Sequence, residues 1–346
     1  MKIEATLAFA AGLAIAGGAV AQDWGHPQAD DPFAADYAAS RALCRQLGDR
    51  DPPAADEPSP AQLASLRDCS SEALYYGIGM PADPERARLC AFAEIAQNRA
   101  DAPFSGNTML MTIYANGVGA RRDLDVATHL ACGLDGAPAE MEGRISHLAD
   151  LKARDWRGSD FSYCDDITSG LAMGYCAGHD ASIADARREA EIARISAGWP
   201  PAARRAYFDL NAARNEYAQQ RGTSETDMSG TARGALATGA TEEAQEDFIR
   251  LLRQLEAGQV PAATAARFAL ADRRLNQSYA AVRRGIGDVG GTVGWSEVQQ
   301  TQRAWLAYRD AFLAFAAVRY PNVSRDSLAT ALTERRTAIL DGLVNR

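Results

Sequence analysis

The chain has 346 residues, of which 47% are hydrophobic and 23% charged, a composition that excludes a disordered or collagen-like protein. Acidic residues outnumber basic ones by 45 to 36, and the net charge of -9 argues against sequence-independent nucleic-acid binding, which needs clustered Lys and Arg. We therefore expect no nucleic-acid partner. The acidity lies in the first half, because residues 22–150 hold 20 acidic and 10 basic side chains whereas residues 151–346 hold 24 and 25.

The first 21 residues have the pattern of a signal peptide. Lys2 precedes an apolar run, and Ala19-Val20-Ala21 has the small-x-small pattern of a cleavage site. We expect cleavage near Ala21 and a soluble periplasmic or secreted protein. The apolar run is about 14 residues long and a membrane-spanning helix needs about 20, so no permanent membrane insertion is predicted. Because Glu4 is unusual in such a segment, an uncleaved apolar anchor is the alternative.

Export places six cysteines in an oxidising compartment, where an even number predicts three disulfide bonds. The six are Cys44, Cys69, Cys90, Cys132, Cys164 and Cys176. Sequence alone leaves 15 pairings. No two cysteines have C-x-x-C spacing and the chain has 4 His, so we expect no metal site and no cofactor.

The mature chain is predicted to be all-α. Ala, Leu, Arg, Glu and Gln dominate its segments, and β-branched runs are nearly absent. A first helix is predicted to end near Gly48, because the prolines that follow it cannot sit in consecutive helix interiors. Residues 22–60 are therefore predicted to form an N-terminal helix and a Pro-rich connector.

Beyond the connector the chain repeats itself at an offset of 40 residues. The two copies are Tyr75-Tyr76-Gly77-Ile78-Gly79 followed by Asp83 and Ala87, and Ala115-Asn116-Gly117-Val118-Gly119 followed by Asp123 and Ala127. In each copy a helix is predicted to end at a glycine, and the aspartate is an N-cap candidate for the next helix. A period of this length indicates stacked helical hairpins.

The repeated segment resembles the Sel-one-like repeat family, relatives of tetratricopeptide repeats, whose pattern runs Tyr-x-x-Gly-x-Gly, then Asp and Ala. We assign residues 61–153 to these repeats. The resemblance implies a protein-binding α-solenoid without catalytic residues. The alternative is a pair of helical hairpins that serves only for packing.

The repeat offset predicts the disulfide pairing. Cys132 corresponds to a position two residues past Cys90, and two helical steps rotate a side chain by about 200°. If the two helices stack side by side, these thiols face each other, which predicts Cys90 with Cys132. Cys44 with Cys69 follows by elimination. Cys164 and Cys176 are 12 residues apart, a spacing that a local disulfide closes.

Six further helical segments are predicted in the second half, at residues 181–197, 201–221, 241–257, 261–286, 295–319 and 325–344. Their apolar residues recur at helical spacing, which indicates a bundle with a shared core. The sequence Gly285-x-Gly287-x-x-Gly290 matches a dinucleotide-binding pattern, but it follows a helical segment and no βαβ unit surrounds it, so we interpret it as a flexible loop.

Three blocks of residues 268–346 resemble the LprI-type lysozyme-inhibitor family. They are ADRRLNQSY at residues 271–279, QRAWLAYRDA at 302–311 and LTERRTAIL at 332–340. The Gln-x-x-Trp-x-x-x-Arg-Asp pattern of the second block is the most specific part. The chain departs from the family at Phe312, where a cysteine is common. We assign residues 261–346 to this helical domain.

Residues 161–260 are either a degenerate second copy of this domain or an insertion. The segment from Arg205-Ala206-Tyr207 through Tyr217 to Arg221 aligns without gaps with that from Arg303-Ala304-Trp305 through Phe315 to Arg319. The Cys164 and Cys176 pair also resembles the opening cysteines of the family. The copy lacks the Arg-Asp pair and has Asn211 and Ala212 there.

The resemblance implies a protein that binds a lysozyme and blocks its cleft, and it implies no enzymatic activity. The candidate binding residues are Gln302, Trp305, Arg309 and Asp310, with a purely structural role as the alternative. Arg309 is expected to pair with an acid such as Asp272 or to stack on an aromatic ring. Trp305 is expected to be a core anchor. With Tyr308, Phe312 and Phe315 it should face a partner helix that bears Leu328, Leu332, Ile339 and Leu343.

Two other functions are considered. One is a periplasmic interaction scaffold without inhibitory activity. The other is an enzyme, but the acid pairs Asp165-Asp166 and Glu242-Glu243 have no nucleophile with an orienting base, and we interpret them as solvated charge. For an inhibitor, the acidic first half would steer a basic lysozyme while an arginine of the second half enters its cleft.

Overall fold

The computed structural model describes residues 24–26, 35–48, 50–99, 103–285 and 291–344. Within these ranges the chain forms α-helices, two short 3-10 helices and no strand, which confirms the predicted all-α fold. None of the described helices is long and apolar enough to cross a membrane. The predicted signal peptide and most of the Gly285-x-Gly287-x-x-Gly290 loop lie outside the described residues.

Seven helices form the first half. They are α1 (Ala38–Gln46), α2 (Pro60–Ser65), α3 (Ser71–Tyr76), α4 (Pro84–Ala96), α5 (Gly106–Asn116), α6 (Leu124–Cys132) and α7 (Pro138–Ala153). From α3 to α7 each helix packs on the next one in sequence, and α1 returns to pack on α6 and α7. As predicted, α1 ends just before Gly48, and the described part of the connector contains the 3-10 helix Ala54–Asp56.

The two repeated turns have the predicted geometry. Gly77 and Gly117 end α3 and α5 in the left-handed conformation, with φ of 72° and 65°. Asp83 and Asp123 cap α4 and α6, and each carboxylate accepts a backbone N–H three residues later at 3.1 Å. In both turns a short acidic side chain therefore satisfies a backbone N–H at the start of the next helix, which favours helix initiation.

A close approach distinguishes the two turns. A Cβ at Gly119 would overlap the backbone carbonyl of Pro84, whereas the equivalent Gly79 has nothing within 4 Å. Both glycines have positive φ. We expect Gly79→Ala to lower the free energy of unfolding by about 1 kcal/mol and Gly119→Ala to lower it by a further 1 to 3 kcal/mol or so, because α4 must move. Urea unfolding of the two variants tests this, and equal losses would contradict it.

Three disulfides are present, and two of the predicted pairings are wrong. Cys164 pairs with Cys176 as expected, but Cys44 pairs with Cys132 and Cys69 with Cys90. The error has a physical reason: α5 packs between α4 and α6, so equivalent helices of the two repeats are not neighbours. Instead α1 packs on α6, which brings the Cα atoms of Cys44 and Cys132 to 5.8 Å.

Part of the acidity of the first half lies inside the protein. Glu94 is buried and accepts the backbone N–H groups of Ser71 and Gly106 at 3.0 and 2.9 Å. Glu140 is also buried and accepts the N–H of Thr168 at 2.9 Å. These carboxylates satisfy backbone donors at chain segments that precede helices, and they are not available on the surface to steer a partner.

Six long helices form the second half. They are α8 (Gly170–Ser196), α9 (Pro201–Ser224), α10 (Arg233–Glu256), α11 (Ala265–Gly285), α12 (Trp295–Arg319) and α13 (Arg325–Val344). α8 and α10 begin earlier than predicted, at Gly170 and Arg233. The glycines of α8 do not break it, because Gly174 packs against Gly234 where α8 and α10 come close together.

The six helices form two units of three. In each unit the first and third helices pack along each other, α8 with α10 and α11 with α13. Both pairs are parallel. The bonds from Arg188 to Glu246 and from Arg253 to Glu191 show this for α8 and α10, and those from Ala263 to Ser327 and from Arg267 to Glu334 show it for α11 and α13. The middle helices α9 and α12 pack on each other across the two units.

The middle helices run antiparallel. The rings of Tyr207 and Phe315 lie 5.8 Å apart, and those of Tyr217 and Tyr308 stack at 5.4 Å. The expectation that the aromatic residues of α12 chiefly face α13 is therefore wrong. α12 packs mainly along α9 because the core is shared between the units, and α13 packs mainly along α11.

α8 connects the two halves. Cys176, in its first turns, belongs to the core of the first half, whereas Ile192, near its end, belongs to the core of the bundle. Between them the buried His179 contacts Glu72 of α3 at 2.6 Å through Nδ1, and its ring stacks on Phe104 at 3.9 Å.

Candidate functional site

Trp305 lies at the centre of the family-like segment and is only 1% exposed. It belongs to the bundle core with Tyr308, Phe312 and Phe315, which confirms its predicted place as a core anchor. Burial raises the pKa of the Tyr308 hydroxyl above its usual value. A partner protein cannot contact Trp305 without opening the bundle.

Arg309 and Asp310 lie at the surface of the same helix. Arg309 donates to Asp310 Oδ1 through Nε and Nη2 at 3.2 and 3.1 Å. Its guanidinium also lies over the Trp305 ring at 5.1 Å, which confirms the expected aromatic stacking. The alternative pairing with Asp272 is not formed, since that carboxylate accepts from Asn276. The Asp310 side chain is 64% exposed, so its second oxygen is open to a partner.

Gln302 points inward and contacts a buried ionic network. Its Oε1 accepts from Nε of Arg336 at 2.8 Å. The other two nitrogens of Arg336 donate to the two oxygens of Glu225 at 2.8 and 2.6 Å. Glu225 also accepts from Arg221 at 3.0 Å, and Arg336 and Glu225 are both 0% exposed. The network therefore joins α12 and α13 of the second unit to the end of α9 in the first.

The network is held by charge pairing in a fully buried site. Burial alone would lower the pKa of the Arg336 guanidinium, but the adjacent Glu225 carboxylate outweighs this and holds the pKa above its usual value. Sequence reasoning missed Glu225 and Arg221, because both lie at the end of a helix with no local pattern that indicates burial. Arg336 and Gln302 lie within the blocks that resemble the inhibitor family, and this resemblance was the one sequence signal that pointed to the network.

A second contact between the two units involves the loops. Asp227, after α9, accepts the backbone N–H of Ser229 at 3.0 Å and that of Thr292 at 3.1 Å. These hydrogen bonds lower the pKa of Asp227 below its usual value. Gly291 has φ of 103° and abuts the Asp227 carboxylate. The described end of the glycine-containing loop is therefore held against the first unit.

The acid pairs considered as catalytic candidates form hydrogen bonds and ion pairs with other residues of the fold. Asp166 contacts His147 Nδ1 at 3.0 Å, and Asp165 accepts the N–H of Ser162. Glu242 and Glu243 pair with two arginines, Arg188 and Arg221. Asp165 and Glu243 are exposed, which fits our interpretation as solvated charge, whereas Asp166 and Glu242 are partly buried and do not. Within the described chain no serine, threonine or cysteine is bonded to the His147 ring to serve as a nucleophile.

The candidate residues divide into two groups. Gln302 and Trp305 hold the bundle together from inside, and Arg309 and Asp310 lie at its surface. Neither a curated protein nor a solved structure matches the chain. The model of one protein family does match, over residues 253–340, which span α11, α12 and most of α13. That family is described as lysozyme inhibitor LprI, so the C-terminal part of this chain is similar to a family of inhibitors.

Proposed function

We propose that this protein is an exported inhibitor that binds a lysozyme and blocks its peptidoglycan-cleaving cleft. The observation that carries the proposal is the family match over residues 253–340. The three disulfides support a periplasmic or extracellular location, because such bonds persist in oxidising compartments.

We place Arg309 and Asp310 at the contact surface. In this proposal Gln302 and Trp305 position α12 through their contacts inside the bundle. The exposed carboxylate of Asp310 and the ring-stacked guanidinium of Arg309 support this division. Residues 161–260 act in this proposal as a degenerate family copy. The parallel first and third helices of both units support the duplication.

The proposal is tested by turbidity clearing of a lysozyme-sensitive cell-wall suspension by a basic c-type lysozyme, with the oxidised full-length protein titrated in. We expect saturable inhibition that weakens as salt rises, because charged contacts are screened. Asp310→Ala should weaken inhibition without unfolding the protein. Absence of inhibition by folded protein at large molar excess, with several lysozyme classes tried, would overturn the proposal.

The second candidate is a cell-envelope scaffold that binds proteins through Sel-one-like repeats. The equivalent geometry of the turns at Gly77 and Gly117 favours it. Cross-linking of the full chain to a defined envelope protein, with the cross-links on α3 to α6 and none on α11 or α12, would support the scaffold over the inhibitor.

A further inference from the structure

The chain that joins the two halves is buried against the first half. Residues 156–162 follow α7 and form no helix in the described chain, and Ser162 has extended backbone angles. Phe161 and Tyr163 are nevertheless only 3% and 7% exposed, and both belong to the core of the first half. Connecting segments usually run over the surface, so this burial needs an explanation. We call residues 156–163 the linker segment.

Two side chains of the first half bind the backbone of the linker segment. The buried Asn116, which ends α5, donates to the carbonyl of Phe161 and accepts the N–H of the same residue, both at 3.0 Å. Arg122, in the turn that follows, donates to the carbonyls of Trp156 and Gly158, the first at 3.3 Å. Its guanidinium also lies over the Trp156 ring at 5.0 Å. Bonds to main-chain groups hold a peptide largely independently of its sequence.

Two aromatic side chains of the linker segment are held by α7 and by the loop before α5. The Phe161 ring contacts the ring of His147 at 5.5 Å, and the Tyr163 ring lies 5.7 Å from that of Phe104. The Arg144 guanidinium lies over the Tyr163 ring at 4.3 Å. The side chains that hold the linker segment form what we call the groove, and its main members are Asn116, Arg122, Arg144 and His147.

A second connector in the same chain shows that joining two packed units does not require such contacts. Residues 257–264 join α10 to α11, and none of these eight residues is buried. Their backbone contact with the second unit is the bond from the Ala263 N–H to Ser327 at 2.8 Å. The linker segment differs because side chains of the first half bind its backbone at several points and also bury its rings. Both properties are typical of a bound peptide.

We propose that the linker segment is a tethered ligand, which occupies a peptide-binding groove in the first half and keeps it closed to other proteins. A partner that opens the groove must supply a non-helical segment with two aromatic residues five positions apart, as Trp156 and Phe161 are. This inference goes beyond the inhibitor proposal and does not depend on it. It adds a condition to the scaffold candidate, because a partner must displace the linker segment before it binds in the groove.

The tether keeps the groove closed without tight binding. A segment joined to its site by short connections is present there at an effective concentration of order millimolar. The linker segment follows α7 directly, and the Cys164–Cys176 disulfide ties the chain just after it to α8. A free peptide that makes the same contacts therefore competes poorly with the intact segment. It should bind well once the intact segment loses its aromatic anchors.

The test measures the fluorescence anisotropy of a labelled peptide of residues 154–163, titrated with the oxidised full-length protein. In the variant W156A/F161A the tethered segment has lost two anchors that the free peptide retains. We expect this variant to bind the peptide at least about tenfold more tightly than the wild type does. W156A alone leaves the buried Phe161 in place and should show a smaller gain in affinity. Circular dichroism and the midpoint of urea unfolding verify that the variants fold.

Three controls assign the binding to the groove. The same peptide with alanine in place of its Trp and Phe should bind no protein in the set. Adding N116A to W156A should reverse the gain in affinity, because one of the two backbone contacts is lost. Phe208→Ala removes a ring that is 75% exposed on α9, and this variant should bind the peptide like the wild type.

The inference is overturned if the folded variants bind the peptide no more tightly than the wild type does. It is also overturned if the alanine peptide binds the variants equally well, or if N116A leaves the gain unchanged. If W156A/F161A does not fold, W156A alone decides. Lysozyme is absent from the measurement, so its outcome leaves the inhibitor proposal standing, and failed inhibition in the turbidity assay leaves this inference standing.

Discussion

Replacing Glu225 by Gln is expected to lower the free energy of unfolding by about 3 to 5 kcal/mol. The carboxylate is fully buried and accepts three hydrogen bonds, two from Arg336 and one from Arg221. Its removal leaves the fully buried Arg336 guanidinium without a counter-charge, whereas Arg221 keeps its pairing with Glu243. Urea unfolding followed by circular dichroism measures the loss.

The matched control is Glu243→Gln. Glu243 also pairs with Arg221, at 3.0 Å, but its side chain is 61% exposed. Exposed ion pairs contribute little, so we expect a loss below about 1 kcal/mol. Similar losses in the two variants would show that burial of the network does not determine its contribution.

Removing the Cys44–Cys132 disulfide by C44A/C132A is expected to lower the free energy of unfolding by about 4 kcal/mol, because this bond closes the longest loop in the chain. Its sequence separation is 88, against 12 for Cys164–Cys176. The bond also fixes α1 on α6, and few other contacts hold α1 there. Hydrogen exchange should therefore show that the amides of α1 lose their protection.

C164A/C176A is the control for this second experiment. We expect a loss smaller by about 2 kcal/mol from the shorter loop, and full protection of the α1 amides. If α1 stays protected in C44A/C132A, the packing of α1 does not depend on the disulfide and the explanation is wrong.

Local features of the fold were predictable because they depend on neighbouring residues. The bounds of α12 follow from Gly294 before it and Pro321 after it, and the turn at Gly117 follows from the need for positive φ. The burial of Trp305 follows from its place in a stripe of aromatic residues. Such signals act within a few turns of helix.

Long-range pairings were not predictable on the same basis. The partner of Cys132 depends on α5 separating α4 from α6, which no local periodicity encodes. The burial of Glu225 depends on Arg336, 111 residues away. The candidate site shows the same division: stacking of Arg309 on Trp305, four residues apart, was expected, whereas the contact of Gln302 with the ionic network was not.

The shared helix α8 limits how this protein can be divided into two parts. Since Cys176 completes one core and Ile192 the other, any division of the chain that leaves both cores whole must fall inside α8 and cut that helix in two. The bond between His179 and Glu72 crosses the same boundary. Separately produced halves would therefore each carry a piece of α8 without the rest of that helix.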